Sequence, residues 1–325
     1  MASEQDTSDP CAFTQKRLAP IQAVRYPSIM SAATVICFGE VLWDCLPKGI
    51  FAGGAPINVA YHLRRFGLNA LPATAVGKDF LGDEMLRRFR YWQLSPEFTS
   101  RVDKPTGAVV VDLDDAGVAS YKFLEDVAWD HIPLPEALIK SAAAASGIVF
   151  GTLAQRSEFN RARVAELRRM ATAAKQIYDV NLRPPYDSPE LVWALTKGCD
   201  LIKLNDDELE RLLGIKTDVA GLEAAVRQFA ERTECRRICV TAGKQGAGLL
   251  WEGAWNFDPP QPIQVKDTVG AGDSFLAALL HGWLEAELSP AANLQRAARV
   301  AEFVATCDGA TPGYKLDAKG YPVRA

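Results

Sequence analysis

Residues 267–275 read DTVGAGDSF and lead directly into the apolar run LAALL. Glycines at 270 and 272 let the backbone turn tightly and let a ligand approach it closely. The apolar run predicts a helix, and a helix start presents unpaired amides and a partial positive charge. The segment therefore predicts an anion site at the start of a helix, with the Asp273 carboxylate beside it. Such a site is suited to the transfer of a phosphoryl group.

The composition limits the class of protein. The chain has 325 residues, of which 48% are hydrophobic and 23% are charged, and its net charge is −4. These values predict a globular protein of one large domain. A mildly acidic chain without a Lys/Arg-rich run gives no basis for nonspecific nucleic-acid binding. No apolar stretch approaches the ~20 residues that are needed to cross a bilayer.

The 7 cysteines are scattered, and the chain has only 3 histidines. A structural zinc site or a histidine-based triad is therefore a poor explanation of the sequence. Several cysteines lie inside apolar runs, where we expect small core residues. This usage fits a reducing compartment, and we expect a cytoplasmic protein that contacts neither membranes nor nucleic acid.

The N-terminal segment differs from the rest. Residues 1–32 are predicted to form a disordered extension, because they hold charges and prolines but no apolar core of a signal peptide. A start of translation at Met30 is the alternative interpretation. The folded domain is predicted to span residues 33–325.

From about residue 34, short β-rich runs alternate with longer helical patterns. This alternation predicts an α/β fold of three layers, with a mostly parallel central sheet and helices on both faces. Residues 107–126 break the rhythm with two strand-like runs around DDAG, which is the pattern of a hairpin. Segments near 45–55 and 102–126 are therefore predicted to form a small antiparallel β lid, which could also join two copies in a homodimer.

Polar residues follow the first predicted strand. Asp44 lies just after it, and Gly53 and Gly54 precede a helix whose first turn holds Asn58. A carboxylate and an amide brought together by a flexible glycine pair can hydrogen-bond several hydroxyl groups of a polyol. A turn residue and a loop hinge are the alternative interpretations of Asp44 and of the glycine pair.

A second polar run, DVNLR, places Asp179, Asn181 and Arg183 at alternate positions after a strand. In an extended chain this spacing aims the three side chains in one direction. The arginine can form two parallel hydrogen bonds to phosphate oxygens. A solvated loop before two prolines is the alternative interpretation.

Two later strand exits are also candidates. Asn205 lies at a strand end, and Glu208 lies in the first turn of the next helix. Mg²⁺ prefers such oxygen ligands and often binds them through water, although an acidic residue there is also an ordinary partner of the helix dipole. VTAGKQGAG at 240–248 is a glycine-rich exit, for which a hairpin turn is the alternative.

Common nucleotide-binding fingerprints are missing. The sequence has no G-x-x-x-x-G-K-[ST] run, and no G-x-G-x-x-G follows the first strand with an acidic partner downstream. The chain is therefore neither a Walker-type ATPase nor a dinucleotide-dependent oxidoreductase. The motif set of the protein kinases is absent as well.

The segments GGAPINVA (53–60) and DTVGAGDSF (267–275) resemble the two signature stretches of the ribokinase-like (pfkB-type) sugar kinases. The D-x-N-x-R, L-N-x-x-E and V-T-x-G-x-x-G runs stand between them in the order of that family. The similarity extends from about Val35 to about Pro312. It implies a ribokinase-like fold and the transfer of the γ-phosphoryl group of ATP to a sugar hydroxyl, with Mg²⁺ as cofactor.

The resemblance also implies roles for individual residues. Asp273 matches the catalytic base, and the amides of Gly270, Ala271 and Gly272 match an anion hole over the transferred phosphoryl group. The positions that match the substrate site are Asp44, Gly53, Gly54, Asn58, Arg183 and Asp273. The positions that match the nucleotide side are Asn205, Thr241, Gly243, Gly246, Gly270 and Gly272.

Two cation sites follow from the same resemblance. Glu208 matches a motif that is associated indirectly with Mg²⁺ and phosphate. A monovalent cation such as K⁺ is often held by carbonyl groups near the anion hole, and the matching positions are Asp267, Val269 and Gly309. Val269 stands where the family frequently has a hydroxyl residue, but a backbone carbonyl would serve. Ala305 matches part of the adenine pocket.

The sugar is implied by finer similarity. FGEVLWD, GGAPINVA and DVAWD (126–130) most resemble segments of bacterial fructokinases, which implies D-fructose as acceptor and fructose 6-phosphate as product. A 2-keto-3-deoxygluconate kinase or another sugar kinase is the alternative, and the keto acid needs a further cation, for which Arg101 and Lys122 are the candidates. A non-catalytic sugar- or nucleotide-binding regulator is the alternative of a different class. The presence of Asp273 and its glycines argues against it.

Overall fold

The computed structural model describes residues 32–46, 49–113 and 119–324. The predicted N-terminal extension lies outside these residues, apart from residue 32 at its end. Among the described helices, none is both long enough and apolar enough to span a membrane.

The order of elements confirms the alternation of strands and helices. The strands are β1 (Thr34–Phe38), β2 (Leu42–Leu46), β3 (Gly49–Gly53), β4 (Asn69–Gly77), β5 (Thr99–Val102), β6 (Ala108–Leu113), β7 (Ala119–Phe123), β8 (Gly147–Gly151), β9 (Lys175–Asp179), β10 (Leu201–Asn205), β11 (Arg237–Thr241), β12 (Ala247–Trp251), β13 (Ala254–Asp258), β14 (Tyr314–Leu316) and β15 (Pro322–Arg324). The helices are α1 (Ala55–Arg65), α2 (Phe80–Tyr91), α3 (Glu136–Ala143), α4 (Glu158–Met170), α5 (Pro189–Thr196), α6 (Asp206–Leu213), α7 (Leu222–Thr233), α8 (Ala271–Leu284) and α9 (Pro290–Ala305).

The central sheet has nine strands in the order β13-β12-β11-β10-β9-β8-β1-β4-β5. Neighbouring strands from β11 to β5 run parallel, whereas β12 and β13 are added antiparallel at one edge. The carboxyl ends of the parallel strands therefore meet at one edge of the sheet, which is where ligands bind in open α/β sheets.

The core lies on both faces of this sheet. Val35 and Cys37 of β1 pack with the residues of α1, α2, α8 and α9, whereas Ile36 and Phe38 pack with those of α3 to α7. Because successive residues of a strand point to opposite faces, a strand such as β1, which is apolar and buried from Val35 to Phe38, contributes to both layers. The predicted three-layer α/β fold is confirmed.

The lid is a separate four-stranded sheet in the order β3-β2-β6-β7. Two antiparallel hairpins form it, and a parallel pairing of β2 with β6 joins them. It differs from the sequence interpretation at its borders, because β2 begins at Leu42 and β6 at Ala108, while Val102 ends β5 of the central sheet. The loop between β6 and β7 lies outside the described residues.

Close backbone packing explains the glycine pair before α1. Gly54 has a φ of 113°, and a Cβ added to it would lie 2.4 Å from the carbonyl oxygen of Glu40. Only glycine combines this backbone conformation with this approach. The contact fixes the start of α1 against the end of β1, where the substrate residues are expected.

A pair of alanine substitutions separates strain from steric contact. We expect Gly67→Ala to cost about 1–2 kcal/mol of unfolding free energy, because Gly67 also has a positive φ (94°) but has nothing within 4 Å of an added Cβ. Gly54→Ala should cost about 2–5 kcal/mol, since overpacking adds to the same strain. Urea denaturation measures the unfolding free energy of both variants. Equal losses of free energy would show that the contact with Glu40 adds nothing to the effect of backbone strain.

Candidate active site

Asp273 lies in the first turn of α8 and is 9% exposed. The side-chain amide of Asn58, in α1, donates a hydrogen bond to Asp273 Oδ2 at 2.8 Å. Burial and the neighbouring Asp179 carboxylate raise the pKa of Asp273 to about 6, and the positive charges of Lys203 and Arg183 act in the opposite direction. Asp273 is therefore mostly ionised at neutral pH. Its pKa is also close to neutral pH, which is where a general base is most effective.

A buried ion pair lies beside this carboxylate. Lys203 Nζ of β10 contacts Asp179 Oδ1 of β9 at 3.0 Å, and the two side chains are 8% and 4% exposed. Burial opposes the charge of Lys203, but Asp179, Glu208 and Asp273 together raise its pKa. Nζ also lies 3.0 Å from the place of an added Cβ on Gly272, so a fixed ammonium group stands next to the glycine turn.

The glycine turn before α8 has the expected backbone. Gly270 has a φ of 75°, and a Cβ on it would lie 2.4 Å from the Cβ of Ala310. Gly272 and Asp273 lie in the first helical turn, where amides have no acceptor within the helix. The amide of Ala271 donates to the carbonyl of Thr268 at 3.2 Å, so Ala271 must give up this bond before it can contact an anion.

The Asp44 side chain lies next to Gly53 in the β2–β3 hairpin, where the register pairs Asp44 with Phe51. A Cβ on Gly53 would lie 2.3 Å from Asp44 Oδ2, so the glycine leaves the space that the carboxylate occupies. Burial raises the pKa of Asp44 to about 6, and the positive charge of Arg183 opposes this rise. Arg183 therefore links the D-x-N-x-R loop electrostatically to the hairpin.

The chain leaves the extended conformation directly after β9. Asn181 has a φ of 39°, a left-handed conformation that asparagine tolerates better than most residues. The alternation predicted for Asp179, Asn181 and Arg183 therefore ends at Asp179, and the loop rather than the strand sets the direction of Arg183. The Arg183 guanidinium donates to the carbonyl of Leu182 at 2.8 Å.

Glu40 is a member of the site that the sequence interpretation missed. It is 3% exposed, directly follows Gly39 after β1, and its Oε1 accepts a hydrogen bond from the amide of Ala55 at 3.3 Å. Gly54 has no side chain that could cap α1, so Glu40 supplies this cap from the loop between β1 and β2. Burial raises the pKa of Glu40 to about 7, and its Oε2 is buried without a hydrogen-bond partner among the residues that the structure describes.

Asn205 and Glu208 form a capping box at the start of α6. The Asn205 side chain accepts from the Glu208 amide at 2.7 Å, and Glu208 Oε2 accepts from the Asn205 amide at 2.9 Å. Glu208 Oε1 accepts from the amide of Leu182 at 2.7 Å. Both carboxylate oxygens are thus occupied by backbone amides, which makes Glu208 a support of the 180–183 loop and fits only an indirect contact with a metal.

Asp267 joins the glycine turn to a second loop. Its carboxylate accepts from the amides of Val269 at 3.0 Å and Gly309 at 3.1 Å. The amides of Lys266 and Asp267 donate to the carbonyl of Ala305 at 2.8 and 3.2 Å. These hydrogen bonds therefore connect the positions predicted for a monovalent cation with the position predicted for the adenine pocket, next to the glycine turn.

The glycine-rich exit is both a strand end and a hairpin. Thr241 ends β11 directly opposite Asn205 of β10, so the two predicted nucleotide residues are neighbours at the carboxyl edge. Gly243 and Gly246 lie in the tight connection from β11 to β12, and a Cβ on Gly246 would lie 2.5 Å from the carbonyl oxygen of Asp258. The hairpin interpretation is therefore correct as structure.

Residues 38–316 match the pfkB family of carbohydrate kinases. The chain belongs to this family. It is thus a phosphotransferase that acts on a sugar hydroxyl. Fructokinases of Klebsiella pneumoniae and Salmonella typhimurium are each 30% identical to it, over 75% and 76% of this chain and over 82% and 83% of their own lengths.

Solved structures of pfkB kinases and related enzymes share the fold. A fructokinase with bound ATP from Xylella fastidiosa superposes with a TM-score of 0.75 at 24% identity, covering 86% of this chain and 94% of that one. A 2-dehydro-3-deoxygluconokinase from Thermotoga maritima gives a TM-score of 0.75 at 17% identity, covering 87% of this chain and 97% of its own.

The two cations proposed for a keto-acid substrate of this pfkB kinase have different surroundings. Arg101 in β5 pairs with Asp83 and donates to the carbonyl of Gly77 on the adjacent strand, so this guanidinium is committed elsewhere. Lys122 is exposed on β7 of the lid.

The charges around Asp273 predict the pH dependence of the pfkB kinase. With Asp273 as the predicted base, activity should fall as the pH drops through about 6, where this carboxylate becomes protonated. Asp179→Asn removes a negative charge that raises the pKa of Asp273 and leaves the Lys203 charge in place. The acid limb of kcat/KM should therefore move to lower pH.

Asp187→Asn is the matched control for the pH profile. Asp187 is 4% exposed and also holds a cation, since Arg211 contacts its two oxygens at 2.9 and 3.0 Å. This substitution breaks a comparable ion pair without changing the charge beside Asp273, so its acid limb should not move. An equal shift in both variants would contradict the assigned role of Asp179.

Proposed function

We propose that the protein is an ATP-dependent fructokinase that converts D-fructose to fructose 6-phosphate. The observation that carries the proposal is the buried Asp273 carboxylate at the start of α8, next to a glycine turn and a fixed Lys203 ammonium group. The fructokinase relatives support the choice of sugar, and the fructokinase with bound ATP supports the choice of phosphoryl donor.

In the proposed reaction, Asp273 accepts the proton of the sugar hydroxyl while the hydroxyl oxygen attacks the γ-phosphorus of ATP. The bond between this oxygen and phosphorus forms, the bond to the β–γ bridging oxygen breaks, and ADP leaves. The helix start and Lys203 stabilise the negative charge on the transferred group, because they are positioned before the reaction begins. Positioning and charge stabilisation are the main contributions that phosphoryl transfer needs from a protein.

Mg²⁺ and K⁺ belong to the proposal as cofactors. Mg²⁺ would neutralise phosphate charge, and the residues fit a metal that is held through water and phosphate, because both oxygens of Glu208 are taken by amides. K⁺ would be held by backbone carbonyls of Asp267, Val269 and Gly309, in the segment that the Asp267 side chain already ties together.

The charges of the acceptor side favour a neutral sugar. The Glu40, Asp44 and Asp273 carboxylates share the positive charge of Arg183. A sugar hydroxyl can donate a hydrogen bond to such carboxylates, whereas a carboxylate or phosphate group on the acceptor would be repelled by them. This arrangement supports fructose over a keto acid or a sugar phosphate.

The lid supports the homodimer only as a prediction. Ile50 of β3 and Val110 of β6 are 58% and 38% exposed, and exposed apolar residues on a small sheet favour contact with another protein surface. A measurement of the oligomeric state in solution would test the predicted homodimer.

Asp273→Asn tests the assigned base. We expect turnover to fall by ~10²–10⁴, since general-base catalysis is lost, while ATP still binds with an affinity close to that of the wild type. Coupled ADP release and calorimetric ATP titration measure the two quantities. Asp187→Asn, which keeps the base, should retain turnover. Full activity in Asp273→Asn would refute the mechanism.

The choice of sugar is tested by ADP release with MgATP and a panel of acceptors, with and without K⁺. The panel consists of fructose, 2-keto-3-deoxygluconate, ribose, glucose and adenosine. We expect activity with fructose, and a raised sugar KM in Asp44→Asn because that carboxylate binds hydroxyl groups. Activity with the keto acid alone would preserve the mechanism but overturn the substrate. A folded protein that binds ATP but accepts no sugar would favour the regulator.

A further inference from the structure

His62 is a buried histidine outside the set of predicted site residues. It is fully buried in α1, and both of its ring nitrogens are used. Nε2 lies 2.9 Å from the carbonyl oxygen of Ala310, and Nδ1 lies 2.9 Å from the hydroxyl of Tyr314. Since a carbonyl only accepts, Nε2 carries the proton, and Nδ1 accepts from Tyr314. Burial lowers the pKa of His62 to about 4, so the ring is neutral under ordinary conditions.

The carbonyl group that His62 holds belongs to Ala310, which packs on the glycine turn at residues 268–272. We call these residues the anion turn, because their amides are predicted to bind the phosphoryl group. A Cβ on Gly270 would lie 2.4 Å from the Ala310 Cβ and 2.6 Å from its Cα, so Ala310 packs directly on the backbone of the turn. A displacement of Ala310 towards or away from α8 therefore moves the turn or leaves it unsupported. Interiors are packed too densely to absorb such a shift without consequence.

The same face of α1 holds the base and this segment. Asn58, Tyr61 and His62 have the i, i+3, i+4 spacing that places side chains together on one side of a helix. Asn58 donates to Asp273 at 2.8 Å, and the Tyr61 hydroxyl donates to the carbonyl of Pro312 at 2.7 Å. One rigid helix thus fixes the carboxylate and, through His62, the backbone that supports the neighbouring amides.

We propose that His62 is a positioning residue for phosphoryl transfer, which sets the 268–272 anion turn by holding the Ala310 carbonyl against it. The inference rests on the proposed function for its kinetic effect, but the geometry of the turn can be measured independently. In this role His62 acts through Ala310 and not by contact with the substrate or the nucleotide. Its contribution should therefore appear in kcat rather than in the KM for the sugar.

His62→Leu removes the contact with Ala310. A misplacement of about 1 Å can cost about 10² in rate, so we expect kcat to fall by about 10- to 100-fold while the sugar KM changes by less than about threefold. His62→Gln keeps an amide N–H that can reach the Ala310 carbonyl, and it should recover most of kcat. Tyr314→Phe removes only the Nδ1 contact and should retain kcat within about threefold.

Hydrogen exchange distinguishes positioning from general destabilisation. Phe229→Leu is the matched control, because Phe229 is fully buried in α7 and packs on Trp193 in the core on the opposite face of the sheet from Tyr314. We expect faster exchange of peptides covering 267–273 in His62→Leu and unchanged exchange there in Phe229→Leu, at temperatures where both are folded.

Three outcomes would overturn the proposal. One is a normal kcat in His62→Leu despite a lower melting temperature, which would make His62 a core residue only. Another is an equal loss of kcat in Tyr314→Phe, which would place the effect at the tyrosine. The third is unchanged exchange at 267–273. Because exchange needs no substrate, it tests the positioning even if the proposed sugar is wrong.

Discussion

The buried ion pair between Asp179 and Lys203 is the interaction on which the active edge depends. It joins Asp179 at the carboxyl end of β9 to Lys203 in the middle of β10, directly opposite. Removal of one partner from such a pair typically costs about 3–5 kcal/mol, because the other charge stays buried. Here the pair also sets the chemistry, since Asp179 raises and Lys203 lowers the pKa of Asp273. The same ion pair therefore stabilises this edge of the sheet and sets the pKa of the predicted base.

Two helices begin near this edge of the sheet, and the starts of both depend on glycines. Gly54 lets α1 begin against the carbonyl of Glu40, and Gly270 lets α8 begin against Ala310. Neither glycine has a side chain that could cap its helix. Glu40 caps α1 from the loop after β1, while α8 keeps amides in its first turn without helical acceptors. The difference agrees with the proposed function, in which α8 binds an anion and α1 only holds its neighbours in place.

The sequence predicts the layers and most of the polar residues at strand ends, because apolar period and glycine chemistry are local properties. It does not reveal Lys203, which lies inside the apolar run DLIKLN, although a lysine in a buried strand is itself an unusual signal. Glu40 follows β1 and Gly39, and its role is not evident from the sequence because its contact with the start of α1 depends on the fold. His62 could not be found, since its partners Ala310 and Tyr314 are 248 and 252 residues away. The predicted lid border at residue 102 differs from the structure, in which Val102 ends β5 of the central sheet.

The charge balance explains why one site can hold three carboxylates with raised pKa values. Burial disfavours the charged forms of Glu40, Asp44 and Asp273, and one Arg183 guanidinium offsets this only in part. Such a cluster is rich in acceptors and poor in donors. A neutral polyol supplies the missing donors, and every hydroxyl that binds a carboxylate favours its charged form. In the proposed function, binding of the sugar would therefore favour the ionised form of Asp273, which is the form that a general base needs.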